Sequence, residues 1–169
     1  MSRGEDSLIK KVLAFLVLFL LVGCEQKFDL DANGKLAMQY LLDEGYTIKS
    51  YDGNYVYNVS KQDLVRQPHY YMWGVQSVSP DPYIGKDVIQ ERFTVKNHPL
   101  SKLYGPIAVS VFIYNGEVIG GTSFPAEGGM VGAPHSLDGK TLEEVIGQND
   151  TQKWWKEWEE KYSKNSDHK

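Results

Sequence analysis

Cysteine usage constrains this chain most: the sequence holds one, Cys24, and it closes an apolar run. A lone cysteine leaves no internal disulfide, so the fold rests on packing and hydrogen bonds. Val12 to Gly23 carries no charged or polar side chain, with Lys10 and Lys11 before it and Glu25 and Gln26 after Cys24. A basic flank, a short apolar core and a small residue at the junction form the pattern of a secretory signal peptide. The run is 12 residues long, whereas a membrane-crossing helix needs about 20. Spanning is the weaker reading. Glu5 and Asp6 dilute the positive flank.

The junction Leu21-Val22-Gly23-Cys24 resembles the lipobox of bacterial lipoproteins, matching it at all four places. The resemblance implies cleavage before Cys24 and a thioether-linked diacylglycerol on its sulfur. It places the mature chain on the extracytoplasmic face of the cell membrane. Two acyl chains suffice for stable anchoring where one does not.

Removing the first 23 residues leaves 146, the size of one domain with its own core. That part keeps 15 basic and 20 acidic residues, a net charge of −5. The balance argues against nucleic acid, whose binding leans on basic patches, and against electrostatic attachment to anionic lipid. Membrane contact is expected through Cys24 alone. An aromatic content of 12% is ample for a packed core.

Asp31 or Asn33 caps an expected helix over 33–44, where Leu36, Ala37, Tyr40 and Leu41 fall on one face. Gly45 stops it. Residues 46–50 and 55–59 read as strands joined at Asp52-Gly53, a two-residue hairpin signal. Ser60 with Asp63 opens a short helix through Arg66, which Pro68 breaks. Residues 70–78 are aromatic and β-branched and read as a strand, followed by a turn at Ser79-Pro80-Asp81-Pro82. A further strand is expected over 88–96. Asn115-Gly116 then joins strands 107–114 and 118–124 in the clearest hairpin of the chain. Val109, Val111 and Ile113 share one face of it, and Ala108, Ser110, Phe112 and Tyr114 the other, so both faces are expected to be partly covered. A glycine-rich loop over 126–134 precedes a capping box, Thr141 with Glu144. The last helix is expected over 151–164.

Tight turns rather than helical crossovers link these strands. The fold class is therefore α+β, a mainly antiparallel sheet with a helix packed on one face and a C-terminal amphipathic helix. The expected division is a signal peptide at 1–23, a tether at 24–32, the α+β domain at 33–147, and the C-terminal helix and tail at 148–169. The order of elements resembles small extracytoplasmic domains of the cystatin-like or PepSY-like kind, at the level of fold alone. Residues 115–125 (NGEVIGGTSFP) and 136–145 (SLDGKTLEEV) are similar to small bacterial lipoproteins that carry no assigned activity. That resemblance spans 33–147 and implies no catalytic residues.

Four arrangements bear on chemistry. Asp29, Asp31, Asn33 and Gly34 resemble the start of a calcium loop, but its bidentate position holds Tyr40. This stretch reads as a polar tether ending in a helix cap. His69, His98, His135 and His168 lack ligand spacing, so no metal and no cofactor is expected; His98 and His135, each beside a proline, read as exposed turns. His135, Ser136 and Asp138 lie close in sequence, but no Gly-x-Ser-x-Gly elbow is present and Ser136 reads as a turn residue. Glycines 128, 129 and 132 lack the Lys-Ser/Thr of a phosphate loop.

Two aromatic groups are the candidate binding residues: Tyr70, Tyr71 and Trp73, and Trp154, Trp155 and Trp158. On a helix, Trp154, Trp158 and Tyr162 fall in one line, the spacing of a core-facing stripe. The expectation is a non-catalytic binding or accessory module of the cell envelope, with an envelope protein, peptide or wall polymer as partner and no nucleic acid. The alternative is an envelope enzyme.

Overall fold

A computed structural model describes residues 28–127, 132–147 and 151–163. The signal peptide, residues 24–27 of the tether with Cys24, residues 128–131 of the glycine loop and His168 lie outside the described residues.

The Asp31 carboxylate accepts from the Gly34 amide at 2.8 Å and caps α1 (Ala32–Asp43). Gly45, at φ +82°, ends it, and the Tyr46 amide reaches back to the Leu41 carbonyl. β1 (Ile48–Asn58) follows, then α2 (Lys61–Leu64), capped by Ser60 through the Asp63 amide. α3 (His69–Gly74), a 3₁₀ turn at Asp81–Tyr83 and β2 (Asp87–Val95) come next. α4 (Ser101–Tyr104) leads into β3 (Ile107–Tyr114) and β4 (Glu117–Pro125). β5 (His135–Ser136), α5 (Leu142–Ile146) and α6 (Thr151–Ser163) complete the described chain. The capping box at Thr141 and Glu144 is formed in both directions.

The fold is α+β. The strands form one antiparallel sheet in sequence order, β1-β2-β3-β4-β5. α1 lays Ala37 and Leu41 on one face of it, against Phe93, Val95, Ile107, Val109, Val111 and Ile113. The opposite face holds a second core of Tyr57, Val59, Leu64, Trp73, Val88, Phe112 and Tyr162. The β3–β4 hairpin thus has both faces covered, as its sequence suggests, and Asn115 and Gly116 take the positive φ angles (50° and 76°) of its turn.

Two expected secondary-structure elements fail. Asp52-Gly53 is not a hairpin turn. β1 runs straight through it as one strand, with a register shift between Tyr51 and Gly53. Gly53 takes φ +96°, and both Asp52 oxygens are held by hydroxyls, from Ser50 at 2.8 Å and from Thr94 on β2 at 2.7 Å. The positive φ that a hairpin needs serves a β-bulge equally well, and the partner strand decides between them. Residues 70–78 are not a strand either. α3 occupies His69–Gly74 because the second core needs Trp73 and Leu64 on one side of a compact helical pair. Packing here overrides β propensity.

Candidate functional site

Trp73 belongs to the second core. It is 1% exposed, its indole N–H donates to the Tyr57 hydroxyl at 2.6 Å, and its ring stacks on Tyr83. Tyr70 and Tyr71, expected on opposite faces of a strand, instead sit side by side on α3 with ring centres 4.1 Å apart. Tyr70 also meets Trp155 at 4.4 Å, so Trp155 flanks the helical stripe. That stripe packs on the body. Trp158 donates its indole N–H to the Leu64 carbonyl at 2.7 Å, closing α6 over the end of α2. Tyr162 is 3% exposed and donates to Asp81, which also pairs with Lys161. Trp154 covers Gly74, where a Cβ would lie 2.9 Å from its ring and 2.7 Å from Leu142. The glycine is what lets α3, α5 and α6 meet.

The groups that could have made a reactive set are occupied by turn chemistry. The Ser136 hydroxyl donates to Asp138 and accepts from the Lys140 amide at 2.8 Å, and Asp138 also pairs with Lys140 at 2.7 Å. Burial pushes the Asp138 carboxyl up, but the Lys140 and Ser136 bonds outweigh it and leave the pKa lowered. His98 is buried, 2% exposed, and not in an exposed turn. Its Nδ1 accepts from the Leu100 amide at 3.1 Å, so Nε2 carries the proton and donates to the Leu137 carbonyl at 2.9 Å. The Tyr46 hydroxyl donates to the same carbonyl at 3.0 Å, and its ring stacks on the imidazole. His98 is a neutral strut under the 136–139 turn, with burial holding its pKa down.

An open cleft of about 300 Å³ remains between α3, β4, β5 and α5. Tyr71, Tyr104, Phe124, Pro134 and Leu142 supply apolar walls, with His135 and Glu143 among them. His135 is partly buried in β5, and its Nδ1 is sealed from solvent with no hydrogen-bond partner among the described residues. Burial lowers its pKa, opposed by Glu144 and Glu143, so the ring enters the cleft uncharged. The Tyr70 hydroxyl and burial push the Tyr71 phenol up to about 12. Near neutral pH the cleft therefore presents aromatic faces, a neutral phenol and a neutral imidazole. That chemistry suits a largely apolar ligand group fixed by one or two hydrogen bonds.

Sequence reasoning found Tyr71 and missed Phe124, Tyr104 and the role of His135, which the chain brings together from three separate stretches. No group of three or more potential metal-binding side chains converges among the described residues. Asp31, the central member of the calcium-like stretch, is engaged in capping α1. Compared with family models, with curated proteins and with solved structures, the chain finds no match.

Proposed function

We propose that this protein is a membrane-anchored extracytoplasmic lipoprotein whose folded domain is a non-catalytic binding module of the cell envelope. The anchor reading rests on Leu21-Val22-Gly23-Cys24 behind its apolar run. The binding reading rests on one observation: Ser136, Asp138 and His98 are engaged in turn and core hydrogen bonds, while aromatic side chains wall an open cleft. An envelope peptide or polymer that offers an apolar group to Tyr71 and Phe124, and one polar atom to His135, fits that surface.

A second reading, an envelope enzyme, rests on His135, an uncharged imidazole lining the cleft, the side-chain type most often used to move protons. Incubating the purified chain with isolated envelopes and following released products by mass spectrometry separates the two. The binding module releases nothing. Product release that disappears in His135→Gln would establish the enzyme.

A further inference from the structure

A second cavity, of about 310 Å³, lies on the sheet face opposite α1, where helices α2, α3 and α6 do not reach. Tyr55 pairs with Gln90 across β1 and β2, and Arg92 pairs with Ser110 across β2 and β3. Neighbouring side chains on one face of a sheet can meet a single ligand. Gly53, opposite Arg92, has no side chain, and a Cβ there would meet no atom within 4 Å. The missing side chain makes the surface concave above the guanidinium.

Four of the groups facing this concavity are free to bind: Arg92, Tyr55, Gln90 and Ser110. Arg92 is exposed and makes no hydrogen bond or ion pair among the described residues, in a chain with a net charge of −4. Asp52 and Asn54 also line it, and both Asp52 oxygens are held by the hydroxyls of Ser50 and Thr94. Tyr55 is 64% exposed, and its ring is set parallel to Tyr57 at 6.5 Å, which orients it. Gln90 and Ser110 add an amide and a hydroxyl not spent on other protein groups. No aliphatic side chain lines the cavity, so an apolar peptide side chain gains little from it.

We propose that this cavity binds a carboxylated sugar unit of an acidic polysaccharide. The Arg92 fork matches a carboxylate by two parallel hydrogen bonds. A pyranose ring presents weakly positive C–H groups to the electron-rich face of Tyr55, and its hydroxyls meet Gln90 and Ser110. A single guanidinium with no lysine beside it suits one carboxylate better than a doubly charged phosphate. The inference deepens the binding-module reading by naming a ligand class, and it uses a surface separate from the Tyr71 cleft.

The test is retention of the full-length, detergent-purified chain on immobilised polygalacturonate, with dextran and polyglutamate as comparison matrices. Selective retention on polygalacturonate is expected, falling about tenfold in Arg92→Gln and in Tyr55→Ala, and less in Arg92→Lys. Both altered side chains are exposed, and a thermal melt matching wild type shows that the fold persists. Equal retention on polyglutamate would mean a general or peptide-directed anion surface and overturn the proposal. So would no retention on polygalacturonate, or retention indifferent to Arg92 and Tyr55. Cys24→Ser bears on the anchor alone and leaves retention unchanged, so the two readings fail separately.

Discussion

Gln76 pairs with Gly121 as a strand would: its side-chain oxygen accepts from the Gly121 amide at 2.8 Å, and its side-chain nitrogen donates to the Gly121 carbonyl at 3.0 Å. β5 pairs with β4 at Thr122 and Ser123 only, so Gly121 lies one residue beyond the end of that ladder. A glutamine side chain completes the sheet edge there. Gly120 makes room for it, since a Cβ at its φ of +150° would overlap Gln76 Oε1. Gln76→Ala should cost about 1–3 kcal/mol by leaving a buried N–H and C=O unpaired. Gly120→Ala should also destabilise. The double variant should cost less than the sum of the two, because the clash has lost its partner. Additive melts would show that Gly120 is needed for its backbone angle alone.

Trp158 ties α6 to α2. Trp158→Ala removes a ring packed on the second core and the donor to the Leu64 carbonyl. A cost of about 2–4 kcal/mol is expected, which lowers the melting temperature by several degrees. Trp158→Phe keeps a ring and should cost about 1 kcal/mol, mainly the lost hydrogen bond. An unchanged melt in Trp158→Ala would detach α6 from the domain's stability.

Glu91 makes stability depend on pH in the alkaline sense. It is fully buried on β2 beneath α1; Oε2 accepts from the Tyr51 hydroxyl at 2.8 Å, and Oε1 has no partner among the described residues. Burial raises its pKa above the ordinary 4.5, against the lowering hydrogen bond from Tyr51, and Asp31 adds to the rise. The folded state thus holds the proton to higher pH than the unfolded state. Stability is greatest below about 4.5 in this respect and falls as pH climbs through the raised folded value. Glu91→Gln keeps an acceptor for Tyr51 without the charge. Its gain in melting temperature over wild type should be larger at pH 8 than at pH 4. His98, whose lowered pKa works in the opposite direction, contributes equally to both proteins and cancels in the difference.

Local chemistry was legible in this chain wherever it decides the outcome by itself. Asp31, Ser60 and Thr141 cap helices because a short side-chain oxygen can reach the amides of the first turn. Asn115-Gly116 turns because both residues tolerate positive φ. The stripe of Trp154, Trp158 and Tyr162 packs inward as its spacing implies. What could not be read is what distant partners decide. Thr94, 42 residues away, helps hold Asp52 in a bulge rather than a turn. The demand of Tyr57 and Phe112 for a covering indole makes a helix of an aromatic stretch with no helical period. His98 looked like a turn residue beside Pro99, and only Leu137, 39 residues on, gives it a reason to be buried. The Tyr71 cleft and the Arg92 cavity are both of this second kind, since each is assembled from segments far apart in sequence.

Cys24 carries the central proposal, that this domain is held at the membrane by lipid. The measurement is metabolic labelling with a clickable fatty acid in a bacterial host, followed by membrane fractionation of wild type and Cys24→Ser. Lipid anchoring predicts a labelled wild type that sediments with membranes, and a Cys24→Ser form without label that is released or left with its signal peptide. A wild type without label, or a Cys24→Ser form that keeps it, would contradict the account.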